Sequence, residues 1–285
     1  MKKQLRLLVP ILALLAWSCG GANQAGNTEQ TQDSSTITDQ TTGKPTPTET
    51  NPAAEGFDAQ NSDKNAIEIA DKVMKAMGGR QAWDETRLIT WNFFGRRQLY
   101  WDKQTGDVRI DYNNGKFNVL LNVYNKEGAP LKGKVIKDNV PVTQPDSLQK
   151  YLKRGKSIWI NDMYWLCMPF KLKDSGVTLK YAREDTVQNG KKADVLTLTF
   201  QGVGDTPENK YEVYVNQENN LVEKWAFFPK ATMDTARITT PWINYEQHGR
   251  LLLSGDRGKY KLSGIKVVDQ VPEKLFTTFE KLDLK

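Results

Sequence analysis

Residues 89–123 read ITWNFFGRRQLYWDKQTGDVRIDYNNGKFNVLLNV, and this stretch decides the fold class. Apolar residues alternate with polar ones in four successive runs, which begin at Ile89, Leu99, Val108 and Phe117. A period of two is typical of strands that bury one face. Asn114-Gly115 stands between the last two runs and is the strongest short signal for a hairpin. The sequence therefore predicts neighbouring antiparallel strands here.

Regular patterns continue on both sides of this stretch. Before it, apolar residues from Ile67 to Met77 recur every three or four positions and Gly78-Gly79 supplies a stop, which predicts a helix. After it, further alternating runs are Val177–Tyr181, Val195–Phe200, Tyr211–Val215, Leu221–Phe228, Trp242–Tyr245, Leu251–Leu253, Ile265–Val268 and Leu275–Phe279. Roughly ten short strands joined by local turns indicate a meandering antiparallel sheet.

One long segment interrupts the strands. From Pro145 to Phe170 the apolar residues fall near helical spacing, and the segment ends in the apolar run MYWLCMPF over residues 163–170. Its opposite face carries the basic residues Lys150, Lys153, Arg154 and Lys156. Gly155 inside the pattern weakens a helix or marks a break in it. We predict a helix that covers one face of the sheet.

The first residues have the pattern of a targeting signal and not of a folded segment. Three basic residues precede the apolar run Leu7–Trp17, which suits a signal-peptide core and is well short of the about 20 residues that span a bilayer. Ser18-Cys19-Gly20 follows at once and resembles the bacterial lipobox, whose cysteine is acylated after the chain is cut just before it. We predict a signal peptide over residues 1–18 and lipidation of Cys19. The alternative is an ordinary signal peptide cut nearby.

Residues 20–63 differ in composition from the rest of the chain. Thr, Gln, Asn, Ser, Gly and Pro dominate, and such a segment cannot bury enough apolar surface to offset its ordering entropy. It holds seven acidic residues and one lysine, whereas residues 64–285 hold 36 basic and 27 acidic residues. We predict a lipidated, disordered tether over 19–63 and one domain over 64–285. A basic domain in the envelope points to lipid headgroups and away from nucleic acid, although a plain solvated surface is the alternative.

A helix that ends in Gly-Gly, a connecting Trp83 and a long up-and-down sheet with a Trp- and Pro-rich helical insert resemble the lipoprotein-carrier superfamily, which includes the carrier LolA and the receptor LolB. The stretches that carry the resemblance are residues 69–83, Tyr164-Trp165-Leu166, Met168-Pro169-Phe170, residues 211–225, Trp242–Tyr245 and Gly264–Val267. The resemblance implies a mainly β, α+β fold: a half-open antiparallel β-barrel with a helical lid over a hydrophobic cavity for acyl chains. With its Cys19 motif the chain is similar to the lipid-anchored members.

Large apolar side chains are the candidates for lining such a cavity, because they bury much area and leave few polar groups. They are Trp91, Phe93, Trp101, Trp159, Met163, Trp165, Phe170, Trp225, Phe227 and Trp242. For any one aromatic residue among them an ordinary core position is the plainer interpretation. The four basic residues of the helical insert are candidates for contact with anionic headgroups.

Motifs for catalysis or metal binding are sparse. The sole histidine, His248, stands next to a glycine and is interpreted as a turn residue, and Cys167 lies in an apolar run where a thiol is a small buried side chain. One histidine and one apolar cysteine do not supply a usual metal site, so we expect neither a metal nor another cofactor. The carboxylate pairs Glu184-Asp185 and Asp107 with Asp111 are the nearest candidates for glycoside hydrolysis.

Three functions follow, in order of preference. The first is a lipid-anchored envelope protein, with the outer membrane favoured, that binds lipid or lipoprotein acyl chains for transport or sorting. The second is an envelope sensor or scaffold that binds a protein partner without lipid, and the third is a carboxylate-dependent glycosidase. A lipid binder requires a continuous apolar cavity, a sensor requires an exposed apolar patch, and a glycosidase requires two carboxylates roughly 5–9.5 Å apart in one cleft.

Overall fold

The computed structural model describes residues 50–126 and 128–282, all of which belong to one compact unit, Pro47–Lys285. The predicted signal peptide, the predicted lipidation site Cys19 and the predicted tether as far as residue 49 lie outside the described residues. None of the helices in the described part of the chain is long and apolar enough to cross a membrane.

The described residues contain three α-helices and fourteen β-strands. The helices are α1 (Lys64–Ala76), α2 (Arg80–Glu85) and α3 (Pro145–Cys167). The strands are β1 (Leu88–Phe93), β2 (Arg97–Asp102), β3 (Asp107–Tyr112), β4 (Phe117–Asn122), β5 (Gly133–Lys137), β6 (Val140–Pro141), β7 (Val177–Thr186), β8 (Lys192–Phe200), β9 (Lys210–Asn216), β10 (Val222–Phe228), β11 (Ile238–Pro241), β12 (Ile243–His248), β13 (Leu251–Arg257) and β14 (Tyr260–Val268). A 3₁₀ turn, Met168–Lys171, continues α3.

The strands form two antiparallel sheets. The first sheet has the order β12-β13-β14-β1-β2-β3-β4-β5-β6, and the second has the order β11-β10-β9-β8-β7. Within each sheet paired strands are consecutive in the chain, except that β14 pairs with β1 and so joins the last strands to the first. The chain passes from the first sheet to the second after β6 and returns after β11. Neither sheet closes on itself. The predicted α+β fold, a half-open antiparallel barrel with a helix over it, is therefore confirmed.

The hairpin turn predicted at Asn114-Gly115 is present, and a second Asn-Gly pair lies in the turn between β7 and β8. Asn114-Gly115 joins β3 to β4, and Gly115 has φ +67°. Asn189 (φ +58°) and Gly190 (φ +70°) lie between β7 and β8. Left-handed backbone costs little for Gly and is tolerated by Asn, which explains Gly115, Asn189 and Gly190 at these positions.

Helix α3 crosses the first sheet without a break. Gly155 is buried inside it, and a Cβ at this position would lie 2.9 Å from Cγ1 of Val119 on β4. The glycine therefore permits a close approach of helix to sheet instead of interrupting the helix. Leu152 and Leu166, on the same side of α3, are fully buried in the core.

Residues 51–63 pack on the domain, although their composition predicts disorder. The backbone N–H of Ala54 donates to the carbonyl of Lys173 (2.9 Å), and that of Asp63 donates to the carbonyl of Leu179 (2.9 Å). The predicted end of the tether at Asp63 is therefore too late, because backbone hydrogen bonds order this segment along the start of β7. Phe57 adds an apolar contact to the core.

Two further differences concern strands. The predicted strand Leu275–Phe279 is wrong, since the segment forms turns. The guanidinium of Arg109 on β3 donates hydrogen bonds to backbone carbonyls of this segment. These bonds hold the segment against the first sheet, where Leu275 is buried although it has no strand partner. The short strands β5 and β6 extend the first sheet beyond the runs that alternation identifies.

Candidate functional site

The candidate site is a cavity of about 720 Å³ between the second half of α3 and the second sheet. Ser157, Ile160, Asn161 and Tyr164 line it from the helix. These residues recur every three or four positions, so they share one helical face. The sheet contributes residues from β7, β8, β9 and β10, and the β8–β9 and β10–β11 loops form the rim.

The cavity wall is an aromatic cluster held by edge and tilted contacts. Ring centroids lie 5.0 Å apart for Trp165 and Trp225, 5.2 Å for Tyr211 and Trp225, 5.4 Å for Tyr211 and Phe227, and 5.5 Å for Phe200 and Tyr211. Spacings of this size are favourable for aromatic pairs. The contacts form because alternate side chains of β9 and β10 lie on the face of the second sheet that is turned toward α3. The result is a broad aromatic wall on the sheet side of the cavity.

Two tyrosine hydroxyls are among the polar groups of the cavity, whose lining also includes Asn161, Glu208, Asn209 and Arg237. The hydroxyl of Tyr164 is buried without a hydrogen-bond partner, and burial raises the pKa of Tyr164 well above its ordinary value. Burial also raises the pKa of Tyr211, to about 12. Both phenols therefore stay neutral at physiological pH. At the edge of the cavity Lys171 and Asp174 form an ion pair.

The structure brings four of the ten predicted lining residues to this cavity, namely Met163, Trp165, Trp225 and Phe227. The other six, Trp91, Phe93, Trp101, Trp159, Phe170 and Trp242, pack elsewhere in the core. Trp101 and Trp159 make an edge contact at 5.4 Å, and Phe170 stacks on Trp83 at 4.4 Å.

The four predicted headgroup residues lie on the first half of α3 and do not line the cavity. Lys150, Lys153 and Arg154 are exposed, and Lys156 is half-buried. Arg154 sits over the ring of Phe117, 4.7 Å from its centroid. Lys153 is one helical turn before Ser157, the first helix residue of the cavity lip. The basic surface therefore ends where the cavity begins.

Several cavity residues escape prediction from sequence. Phe200, Tyr211 and Ile238 line the cavity from strand positions, and Val203 and Thr206 line it from a loop. The strand alternation contains a signal for Tyr211, which shares a face with Val213 and Val215, but that signal reports burial and not proximity to a cavity.

A buried arginine that does not line the cavity holds one of its lining residues in place. Arg257 of β13 has no solvent exposure, and its guanidinium lies 3.2 Å from the ring centroid of Trp242. It donates to the carbonyls of Trp165 (2.8 Å) and Ser254 (3.0 Å). Burial lowers the pKa of Arg257 to about 9. This hydrogen bonding joins the end of α3 to β13 and fixes the cavity residue Trp165.

The residues considered for catalysis lie away from the cavity. Glu184 and Asp185 are neighbours on β7, Asp107 and Asp111 are on β3, and neither pair lines it. Within residues 50–126 and 128–282, no cluster of His, Cys, Asp and Glu has the composition of a metal site.

The two other reactive side chains are also elsewhere. Cys167 is buried, and burial raises the pKa of its thiol to about 12, so the thiolate form is negligible. His248 ends β12 immediately before Gly249, which has φ +58°. Neither residue lines the aromatic cavity.

No protein-family model matches the chain, and no curated protein matches it in sequence. Among solved structures the chain is similar to a DUF1329 family protein from Desulfovibrio piger (11% identity, TM-score 0.43, covering 74% of this chain and 96% of the other). It is also similar to an outer membrane lipoprotein-sorting protein domain from Vibrio parahaemolyticus (9%, 0.41, 75% and 97%) and to MucB (13%, 0.24, 76% and 63%). Because these scores are low, the half-open antiparallel fold is established by the strand order and contacts of this chain itself.

Proposed function

We propose that this chain is a cell-envelope protein that binds lipid, or the acyl chains of an acylated protein, in the cavity between α3 and the second sheet. The observation that carries the proposal is the aromatic cavity of about 720 Å³. Its volume falls within the roughly 300–1,000 Å³ of small-molecule sites. Each buried CH₂ group of a ligand contributes about 0.8 kcal/mol, so an acyl chain binds without a polar recognition motif.

The surface supports a ligand in the cavity over a protein partner held by an apolar patch. Only three large apolar side chains of the described residues are exposed, and they lie on separate parts of the chain: Tyr124 after β4, Val140 in β6 and Met233 before β11. A docking patch needs several such side chains together. The predicted carboxylate pairs lie outside this cavity, and of Asp107 and Asp111 only Asp107 lines the separate cleft beside β4, so that cleft does not hold the pair that the glycosidase hypothesis requires.

We further propose that Cys19 is acylated and holds the protein on a membrane, with the outer membrane preferred. The support for this is the sequence motif that ends at Cys19. Transport or sorting of acylated cargo is the role that this arrangement suits, because an anchored binding domain receives its ligand at a membrane surface.

Native mass spectrometry of the chain from Gly20 to Lys285, followed by lipid extraction of the same sample, tests the proposal. We expect a bound phospholipid or acylated peptide in the wild-type protein. The informative variant is Ser157→Trp, which places a large side chain at the exposed lip of the cavity. The matched control is Ser147→Trp, the same change at an exposed position of α3 that does not line the cavity.

Lipid that is present in the wild type and in Ser147→Trp but lost in Ser157→Trp supports binding in this cavity. A bare wild-type protein that also fails to take up added phospholipid overturns the proposal. Retention of lipid by Ser157→Trp at the wild-type level overturns the cavity as its site.

A further inference from the structure

The positive charge of the chain is concentrated in one segment. Residues 116–156 hold nine basic and three acidic residues, a net charge of +6, which equals the net charge of the whole chain. The segment contains β4, β5, β6 and the first half of α3. The charge is therefore gathered on adjoining elements and is not spread over the surface.

Six of these cations form what we call the basic face: Lys116, Lys137, Lys150, Lys153, Arg154 and Lys156. One hydrogen bond and one ring contact hold its flanks to β4 and to the loop that follows β4. The ammonium of Lys156 donates to Oδ1 of Asn125 (3.3 Å), and Arg154 lies over Phe117. Lys150 and Lys153 stay exposed in the middle.

Few carboxylates neutralise the basic face. Asp138 pairs with Lys137 at 2.7 Å and raises the pKa of that lysine, against the opposing charge of Arg154. Asp146 lies in the first turn of α3, at the far end of the helix from the cavity. Within the part of the chain that the structure describes, Lys150 and Lys153 form no ion pair.

The basic face adjoins the cavity lip. Lys153 and Ser157 are four residues apart on α3, about 6 Å along the helix axis, and Ser157 lines the cavity. Beside Lys137, in register with it across the hairpin, Val140 is 63% exposed. An exposed apolar side chain among lysines is typical of a surface that rests at a lipid headgroup layer.

We propose that the basic face docks on an anionic phospholipid bilayer and so turns the lip of the cavity toward the lipid. The chemistry is charge complementarity: clustered lysine and arginine side chains attract anionic headgroups, and the attraction falls with ionic strength. This docking is separate from acyl-chain binding and goes beyond the function proposed above.

Vesicle co-sedimentation tests the docking, with the lipid-free chain from Gly20 to Lys285 and vesicles of phosphatidylcholine with or without phosphatidylglycerol. We expect the wild type to sediment only with the anionic vesicles. The double variant Lys150→Glu/Lys153→Glu is expected to lower the partition coefficient roughly tenfold or more. The control is Lys64→Glu/Lys72→Glu, which makes the same change in net charge at exposed positions of α1 and should change it by less than about threefold.

Equal losses in the two double variants, or no sedimentation of the wild type, overturn the proposal. Occupation of the basic face by the acidic tether is a distinct overturning result. In that case the wild type stays in solution, whereas a chain with Glu29, Asp33, Asp39 and Glu49 changed to amides sediments with the anionic vesicles. Ser157→Trp separates the two proposals, because it should lose bound lipid and still sediment like the wild type.

Discussion

Arg97 and Asp162 form a two-pronged ion pair that joins β2 to α3. The Nε and Nη2 atoms of Arg97 lie 2.5 and 2.6 Å from the two carboxylate oxygens of Asp162. The side chain of Asp162 is fully buried, and that of Arg97 is 12% exposed. Burial opposes the charge on Arg97, but the hydrogen bonds and charge of Asp162 outweigh it, so the pKa of Arg97 is raised. On the carboxylate side burial outweighs the same contacts and raises the pKa of Asp162. The pair fixes α3, the helix that forms one side of the cavity.

Replacement of Asp162 by asparagine should destabilise the protein by about 3 kcal/mol, because it leaves Arg97 buried and without a counter-ion. Urea unfolding followed by tryptophan fluorescence measures the effect. Asp138→Asn, which removes the exposed partner of Lys137, is the control and should leave the midpoint nearly unchanged. Equal midpoints for Asp162→Asn and the wild type would show that the pair does not hold α3.

Gly155→Ala should destabilise the protein although alanine is the better helix former. The new Cβ would lie 2.9 Å from Cγ1 of Val119, and the strain of overpacking, about 1–3 kcal/mol, exceeds the gain of about 1 kcal/mol in helix propensity. Val119→Ala makes room for the methyl group. The double variant should therefore lose less stability than the two single variants together, by about 0.5–3 kcal/mol. Additive losses would contradict the contact.

The strands were the most predictable part of the fold. In β1 to β4 the alternation of apolar and polar residues and the Asn114-Gly115 turn act locally, so the sequence displays them directly. Strand β5, Gly133–Lys137, contains two lysines and only two large apolar residues, and alternation does not identify it. The pairing of β14 with β1 is also hidden, since it depends on contacts between distant parts of the chain.

The aromatic composition of the cavity could be predicted from the sequence, but the identity of all its lining residues could not. Trp165 and Trp225 line it, whereas Trp91 and Trp242 are fully buried in the core, and all four are equally apolar in the sequence. Periodicity indicates that a side chain is buried, but not whether it contacts another side chain or a ligand. The ion pair of Arg97 with Asp162 is similarly hidden, because a carboxylate within a helical pattern is ordinarily solvated.

Protonation of His248 should reduce stability as the solution becomes acidic. Burial lowers the pKa of His248 below its ordinary value of 6.5, so the unfolded chain binds the proton first. The stabilising contribution is present above pH 6.5 and is lost as the pH falls through the lower folded value. His248→Gln should weaken the decline in unfolding free energy between about pH 7 and pH 5. Because the chain has one histidine, an unchanged pH profile in this variant would assign the decline to other groups.

Leu275→Ala should release the C-terminal segment from the first sheet. Leu275 is 1% exposed, and Arg109 on β3 donates to the carbonyls of Leu275 (3.3 Å), Thr278 (3.2 Å) and Glu280 (2.9 Å). Loss of the buried side chain costs about 2–4 kcal/mol. Since this segment has no strand partner, the cost should appear as local opening.

Hydrogen exchange with mass spectrometry measures that release. Amides of residues 274–282 should exchange faster in Leu275→Ala, while amides of β3 keep their protection. Val271→Ala, at a half-buried position near the start of the same segment, is the control and should leave exchange close to that of the wild type. Equal acceleration in β3 and in the segment would mean that the segment unfolds only with the whole domain. The hydrogen bonds of Arg109 would then stabilise the whole sheet and would not only hold the segment in place.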